Sequence, residues 1–275
     1  MTDTSRPFTS LYRHGFVRAA VCIPAVRLVE PEENARAIVA LCQRADRESA
    51  ILALFPELGL TGYSADDLFQ QQALLDACEQ SLLELAEASA GWEAITAVGL
   101  PLRVESKLFN CTAVLHRGQI KGLIPKTYLP NYREYYEERY FATEPTRIAD
   151  SVELGGREIP FGADIIFRVP GLPALAFAFE TCEDLWSPLP PSSFAALAGA
   201  TVLCNLSASN VTIDKASYRT LLCRAQSGRC VSAYLYAGAG HGESTTDLAW
   251  DGHGIVCEYG EVLAETKRFE REIRS

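Results

Sequence analysis

Apolar positions along this chain change period from one segment to the next. Residues 16–23 and 51–55 are short, nearly unbroken apolar runs, the pattern of strands buried on both faces. Between them Pro31-Glu-Glu-Asn opens a helix with Ala35, Ile38, Val39, Leu41 and Cys42 on one face. Leu68, Leu75, Cys78, Leu82 and Leu85 recur at helical spacing, which predicts an amphipathic helix over 67–88. Strand signals return at 94–100, 108–116 and 119–124, and the Arg117-Gly118 turn makes the last two a hairpin. Residues 130–145 carry Tyr132, Tyr135, Tyr136 and Tyr140 without an apolar period and read as a long, partly helical loop over a site. A second hairpin turns at Gly155-Gly156. Strands follow at 165–169 and 175–179, then a helix opened by Pro190, a strand at 201–206, a helix at 216–230 and a strand at 231–236. From 245 to 266 short strands alternate with glycine turns. Helices interleaved with apolar strands predict an α/β fold, with two sheets stacked and helices outside. No repeat, Pro-rich linker or low-complexity run marks a boundary, so one large domain is expected.

Composition narrows the class. The 275 residues carry 35 acidic and 25 basic side chains, a net charge of −10, and no Lys/Arg cluster interrupts the acidity. Nucleic acid is excluded as an expected partner. No apolar run reaches the length of a membrane span, and the start of the chain has no apolar signal core, so a soluble, unexported, cytoplasmic protein is expected. Nine cysteines, an odd number lying mostly in apolar segments, read as reduced thiols. With four histidines and no C-x-x-C pair, no metal site is expected. The sequons at Asn110, Asn205 and Asn210 read as chance matches.

Three apolar strands stop at a reactive side chain: Leu52-Ala-Leu-Phe-Pro-Glu57, Lys121-Gly-Leu-Ile-Pro-Lys126 and Ala176-Phe-Ala-Phe-Glu-Thr-Cys182. Groups just beyond the carboxyl ends of strands line the ligand crevice of α/β sheets. A thiol needs a base near neutral pH, which Glu57 supplies, and Lys126 places positive charge where an oxyanion develops, with backbone N–H groups around Cys182 as further donors. Together they suit attack on an amide carbonyl. Each residue alone would read as an inert thiol, a solvated carboxylate or a surface cation; their threefold recurrence favours a site. Other motifs fail. His241-Gly-Glu243 lacks the P-C-x-x-C of zinc deaminases, Gly238-Ala-Gly-His-Gly242 fits neither nucleotide loop, and Gly62-Tyr-Ser64 lacks the closing glycine of a serine-hydrolase elbow.

The chain resembles the carbon-nitrogen hydrolase (nitrilase) superfamily, and within it the glutaminase domain of glutamine-dependent NAD+ synthetases. The motifs are Phe55-Pro-Glu-Leu-Gly-Leu-Thr-Gly-Tyr63, Pro125-Lys-Thr-Tyr-Leu-Pro-Asn-Tyr-Arg-Glu-Tyr135, Glu180-Thr-Cys-Glu-Asp-Leu-Trp186, Ala200-Thr-Val-Leu-Cys-Asn-Leu-Ser207 and Glu243-Ser-Thr-Thr-Asp-Leu-Ala-Trp-Asp-Gly252. The resemblance implies a four-layer αββα sandwich of the nitrilase type over 15–269, after a polar leader at 1–14 and before the start of a linker, or a cut end, at 270–275. It implies Glu57 as general base, Lys126 as stabilising cation and Cys182 as the nucleophile that forms a glutamyl thioester and releases ammonia. Tyr132, Ser209 and Lys215 match positions that hold the two charged ends of glutamine. Lys215 stands where relatives carry Arg. Glu134 is the candidate for an additional carboxylate beside the triad, and Glu183 for shaping the pocket.

Full synthetases continue into an ATP-binding domain marked by S-G-G-x-D-S, a run that this sequence lacks. The expectation is therefore a glutaminase fragment or subunit. It would need no cofactor for its own step, ATP and Mg belonging to the missing domain, and it would feed ammonia to a synthetase that amidates nicotinic acid adenine dinucleotide. The resemblance also implies homo-oligomers. Competing readings are a free-standing hydrolase of another small amide and a non-catalytic scaffold of the same fold.

Overall fold

The computed structural model describes residues 10–270, so 1–9 of the predicted leader and 271–275 of the predicted linker lie outside the described residues. Strands β1 (Ala19–Val21), β2 (Leu52–Leu54), β3 (Ile95–Val104), β4 (Lys107–His116) and β5 (Gln119–Pro125) form one sheet in that order. β1 to β3 are parallel and β3 to β5 antiparallel. A small hairpin of β6 (Ser151–Leu154) and β7 (Arg157–Pro160) follows. The second sheet has the order β13-β12-β11-β10-β9-β8, from β8 (Phe167–Val169), β9 (Leu172–Thr181), β10 (Val202–Ser207), β11 (Ala233–Gly238), β12 (Gly254–Glu258) and β13 (Glu261–Glu265). Its centre, β9 to β11, is parallel.

Strand alternation builds the layers. Leu52 and Leu54 of β2 join Phe177 and Phe179 of β9 in the core between the sheets. Ala53 points the other way, into the core under α1 (Pro31–Arg47) and α2 (Gln72–Ala88). Ala178 and Leu203 pack beneath α3 (Pro191–Leu197) and α4 (Lys215–Cys230). The result is the expected αββα sandwich, and burial on both faces is why the strands lack polar alternation. No helix of the described residues is long and apolar enough to cross a membrane.

Three expected elements differ. The helix over 67–88 is two pieces, a 3-10 segment Tyr63–Gln70 and α2, separated at Gln71, whose backbone is extended (φ −82°, ψ 118°). Leu68 is 45% exposed while Phe69 is buried, so Leu68 matched the helical period without sharing the buried face. The strand at 16–23 shortens to β1, with Phe16 exposed. In the tail, strands occupy only β12 and β13; residues 245–253 are a loop in which Trp250 Nε1 donates to the Ser244 carbonyl. The Arg117-Gly118 hairpin has positive φ at both residues, as a tight I′-type turn requires.

Candidate active site

Because β5 runs antiparallel to β4, and β4 antiparallel to β3, β5 and β2 point the same way and end at one edge of the sheet. Glu57 follows β2 and Lys126 follows β5. Gly99 of β3 lets the Glu57 backbone pass, since a Cβ there would lie 2.2 Å from the Leu58 nitrogen. The Glu57 carboxylate is fully enclosed: Oε1 accepts from Lys126 Nζ at 2.6 Å and Asn110 Nδ2 at 2.7 Å, and Oε2 accepts from the Ala208 N–H at 2.8 Å. Cys182 arrives from the other sheet at the end of β9, buried and with φ 42°, a left-handed conformation that costs a non-glycine residue energy. Asn205 on neighbouring β10 holds that turn: its Oδ1 accepts from the Cys182 N–H at 3.2 Å and its Nδ2 donates to the Cys182 carbonyl at 3.5 Å. The Cys182 N–H is therefore committed to Asn205 and is not one of the expected oxyanion donors. Asp184 ties the same turn to the Lys126 segment by accepting from the Thr181 and Tyr128 N–H groups.

Burial, reinforced by Glu57 and opposed by Lys126, pushes the Cys182 thiol up to about 12, so it rests protonated at neutral pH. Burial alone would strip the Lys126 ammonium, but Glu137 and Glu57 override it and hold the lysine well above its ordinary range. Lys126 Nζ donates to Glu137 at 2.8 and 2.9 Å, and Tyr63 OH donates to Glu137 at 2.8 Å. One buried cation facing two carboxylates leaves an excess negative charge. Burial, with Glu57 adding to it against Lys126, raises Glu137 to about 7. The additional carboxylate at the cluster is thus Glu137 and not the expected Glu134. Both lie in the aperiodic tyrosine-rich stretch, and the 3-10 turn Glu137–Arg139 is what turns the later one inward.

A cleft of about 470 Å³ leads to Cys182, lined by Tyr132, Glu134, Tyr135, Glu183, Ser209 and Lys215 among others. The three predicted binding residues and both supporting candidates therefore share one cleft. Tyr132 OH donates to the Glu183 carboxylate at 3.0 Å. Lys215 Nζ lies 5.3 Å from the ring centres of both Tyr135 and Trp186 and donates to Asn210 Oδ1. Asn210 Nδ2 donates to Glu134 at 2.6 Å. All three sequon asparagines are buried and bonded into the site. Their burial agrees with reading the sequons as chance matches; the roles of these side chains in the site depend on contacts with segments far along the chain, which the local sequence does not show.

A carbon-nitrogen hydrolase family model matches residues 18–274. The chain belongs to the carbon-nitrogen hydrolase family. The glutamine-dependent NAD(+) synthetase of Mycobacterium tuberculosis is 46% identical over 97% of this chain and 39% of the relative. The chain thus spans about two-fifths of that relative's length. The solved glutamine-dependent NAD(+) synthetase of Cytophaga hutchinsonii superposes with a TM-score of 0.81 at 25% identity, over 92% of this chain and 40% of that one. An amidase from Nesterenkonia sp. shares the fold with a TM-score of 0.72 at 20% identity, over 92% of this chain and 87% of its own. In this chain Lys126 and Glu57 form a fully enclosed pair, and Cys182, which lines the cleft, lies near enough to feel both charges.

Glutamine at position 137 would remove the group that takes up a proton near neutrality. The raised carboxyl in wild type gives stability that is fully present below the ordinary value of 4.5 and is lost as pH rises through about 7. Thermal unfolding of wild type should therefore fall by roughly 3–8 °C between pH 5.5 and 8.5 relative to Glu137→Gln. Parallel pH curves for the two proteins would mean that Glu137 keeps its ordinary titration.

Proposed function

We propose that the chain hydrolyses the side-chain amide of L-glutamine and that Cys182 is the nucleophile. The observation that carries this reading is the convergence of Glu57, Lys126 and Cys182 beneath a cleft that offers a cation and carboxylates to a zwitterion. Lys215, with Ser209, meets the α-carboxylate, and Tyr132, with Glu183 and Glu134, meets the α-ammonium. Because the thiol is protonated at rest, Glu57 takes the proton as Sγ attacks the amide carbon. Lys126 Nζ stabilises the resulting oxyanion, with the N–H of Glu183 as the adjoining backbone donor. Glu57 returns the proton to the departing nitrogen, so ammonia leaves and a glutamyl thioester remains. Water then gives a proton to Glu57 and attacks the thioester, and that proton goes back to sulfur as glutamate departs.

The mycobacterial similarity supports a role for the ammonia: delivery to an ATP-dependent synthetase domain or subunit that amidates nicotinic acid adenine dinucleotide. Incubated with L-glutamine, the purified chain should form glutamate and ammonia in equal amounts. Its kcat/KM should exceed that for butyramide by about 10²-fold or more, since plain amides leave the cleft's charged groups unpaired. Equal turnover of butyramide would replace this reading with that of a simple-amide hydrolase.

A further inference from the structure

Arg219 lies one helical turn beyond Lys215 on α4 and is 1% exposed. A permanently charged side chain at that depth requires partners, which both terminal nitrogens find while Nε has none. On one side Nη1 donates to Asp251 at 3.0 Å and to His253 Nδ1 at 2.9 Å. A guanidinium has no acceptor, so His253 Nδ1 carries the lone pair and its Nε2 faces Glu265 at 2.6 Å. Those contacts alone would make Arg219 a buried ion-pair partner. The other nitrogen points elsewhere: Nη2 donates to the Ser209 and Asn210 carbonyls, both at 3.2 Å, and reaches Ser209 Oγ at 3.5 Å. Two successive carbonyls converging on one nitrogen fix the backbone at Ser209, which lines the cleft together with Tyr132, and at Asn210. Asn210, so held, meets Tyr135, Glu134 and Lys215. None of the hydrogen bonds formed by Glu57 or Lys126 involves Arg219.

We propose that Arg219 is a positioning residue that sets the preference for an α-amino-acid amide over a plain amide, by fixing the Ser209–Asn210 backbone from below without itself bonding to Glu57 or Lys126. The proposal rests on the glutaminase reading. It separates two functions within one site: the strand-end cluster acts on any amide that reaches it, and the segment held by Arg219 recognises the amino-acid end.

The test uses Arg219→Lys and Arg219→Met in the full chain, with kcat and KM measured for L-glutamine and kcat/KM for butyramide. A lysine gathers its donors on one nitrogen and cannot span both the carbonyls and Asp251, which Arg219 reaches with separate nitrogens, so it should rescue only in part. In Arg219→Met the KM for glutamine should rise about tenfold or more while kcat stays within about threefold. Butyramide kcat/KM should stay within about threefold, so selectivity falls by several-fold or more. Arg219→Lys should fall between wild type and Met, and it carries the test alone if the Met variant does not fold. Parallel losses on both substrates, or a glutamine KM equal to wild type, would overturn the assignment while leaving the glutaminase reading standing. A wild type that turns over butyramide as readily as glutamine fails that reading, and this assignment with it.

Discussion

Cys182→Ala should abolish glutamine hydrolysis, with a loss on the order of 10⁴-fold or more, and leave the protein folded. The covalent route has no substitute: the other thiols do not line the cleft, and all except Cys230 are buried. Folding should survive because the turn is held through backbone groups. Asn205 bonds the N–H and carbonyl of residue 182, and Asp184 bonds the Thr181 N–H, none of which the substitution removes. Alanine also tolerates the local φ about as well as cysteine does. A diazoketone analogue of glutamine should add once to wild type and not to the variant, read by intact mass. The variant should still bind glutamine by calorimetry. A folded variant retaining a tenth of the wild-type rate would remove Cys182 from the chemistry.

The layer order was legible in the chain because burial on both faces writes itself into composition. Leu52, Ala53 and Leu54 are all fully buried, the two leucines between the sheets and the alanine under α1 and α2, so the run reads as continuous apolar sequence. Local backbone turns were not legible. Nothing in the periodicity around Leu68 announces that Gln71 turns extended and breaks the helix.

For the site, Glu57, Lys126 and Cys182 could be found because each ends its own strand, a position that local sequence specifies. Their partners depend on register between segments far apart in the chain. Asn110 and Asn205 meet the cluster through β4 and β10, 53 positions from Glu57 and 23 from Cys182. Arg219 matters through carbonyls ten and nine positions earlier, and carbonyls leave no trace in residue identity. Glu134 and Glu137 differ only by the direction in which an aperiodic loop turns them.

Glu57→Gln should lower turnover on the order of 10²-fold or more while making Cys182 more acidic. The two effects have opposite signs for reactivity, which makes the variant decisive. Glu57 is the first nearby charge raising the thiol, so neutralising it should pull the Cys182 titration down and speed alkylation by iodoacetamide at pH 8. Hydrolysis should nevertheless fail, because no base remains to take the thiol proton during attack and return it to ammonia. The amide is also poorly hosted. Lys126 and Asn110 donate to Oε1 and Ala208 donates to Oε2, so the new NH2 group must face a donor in either orientation. That leaves a buried mismatch costing about 1–3 kcal/mol, measurable by denaturant unfolding. If Glu57 only suppressed the thiolate, the variant would hydrolyse glutamine faster than wild type. Faster alkylation together with lost turnover assigns Glu57 to proton transfer.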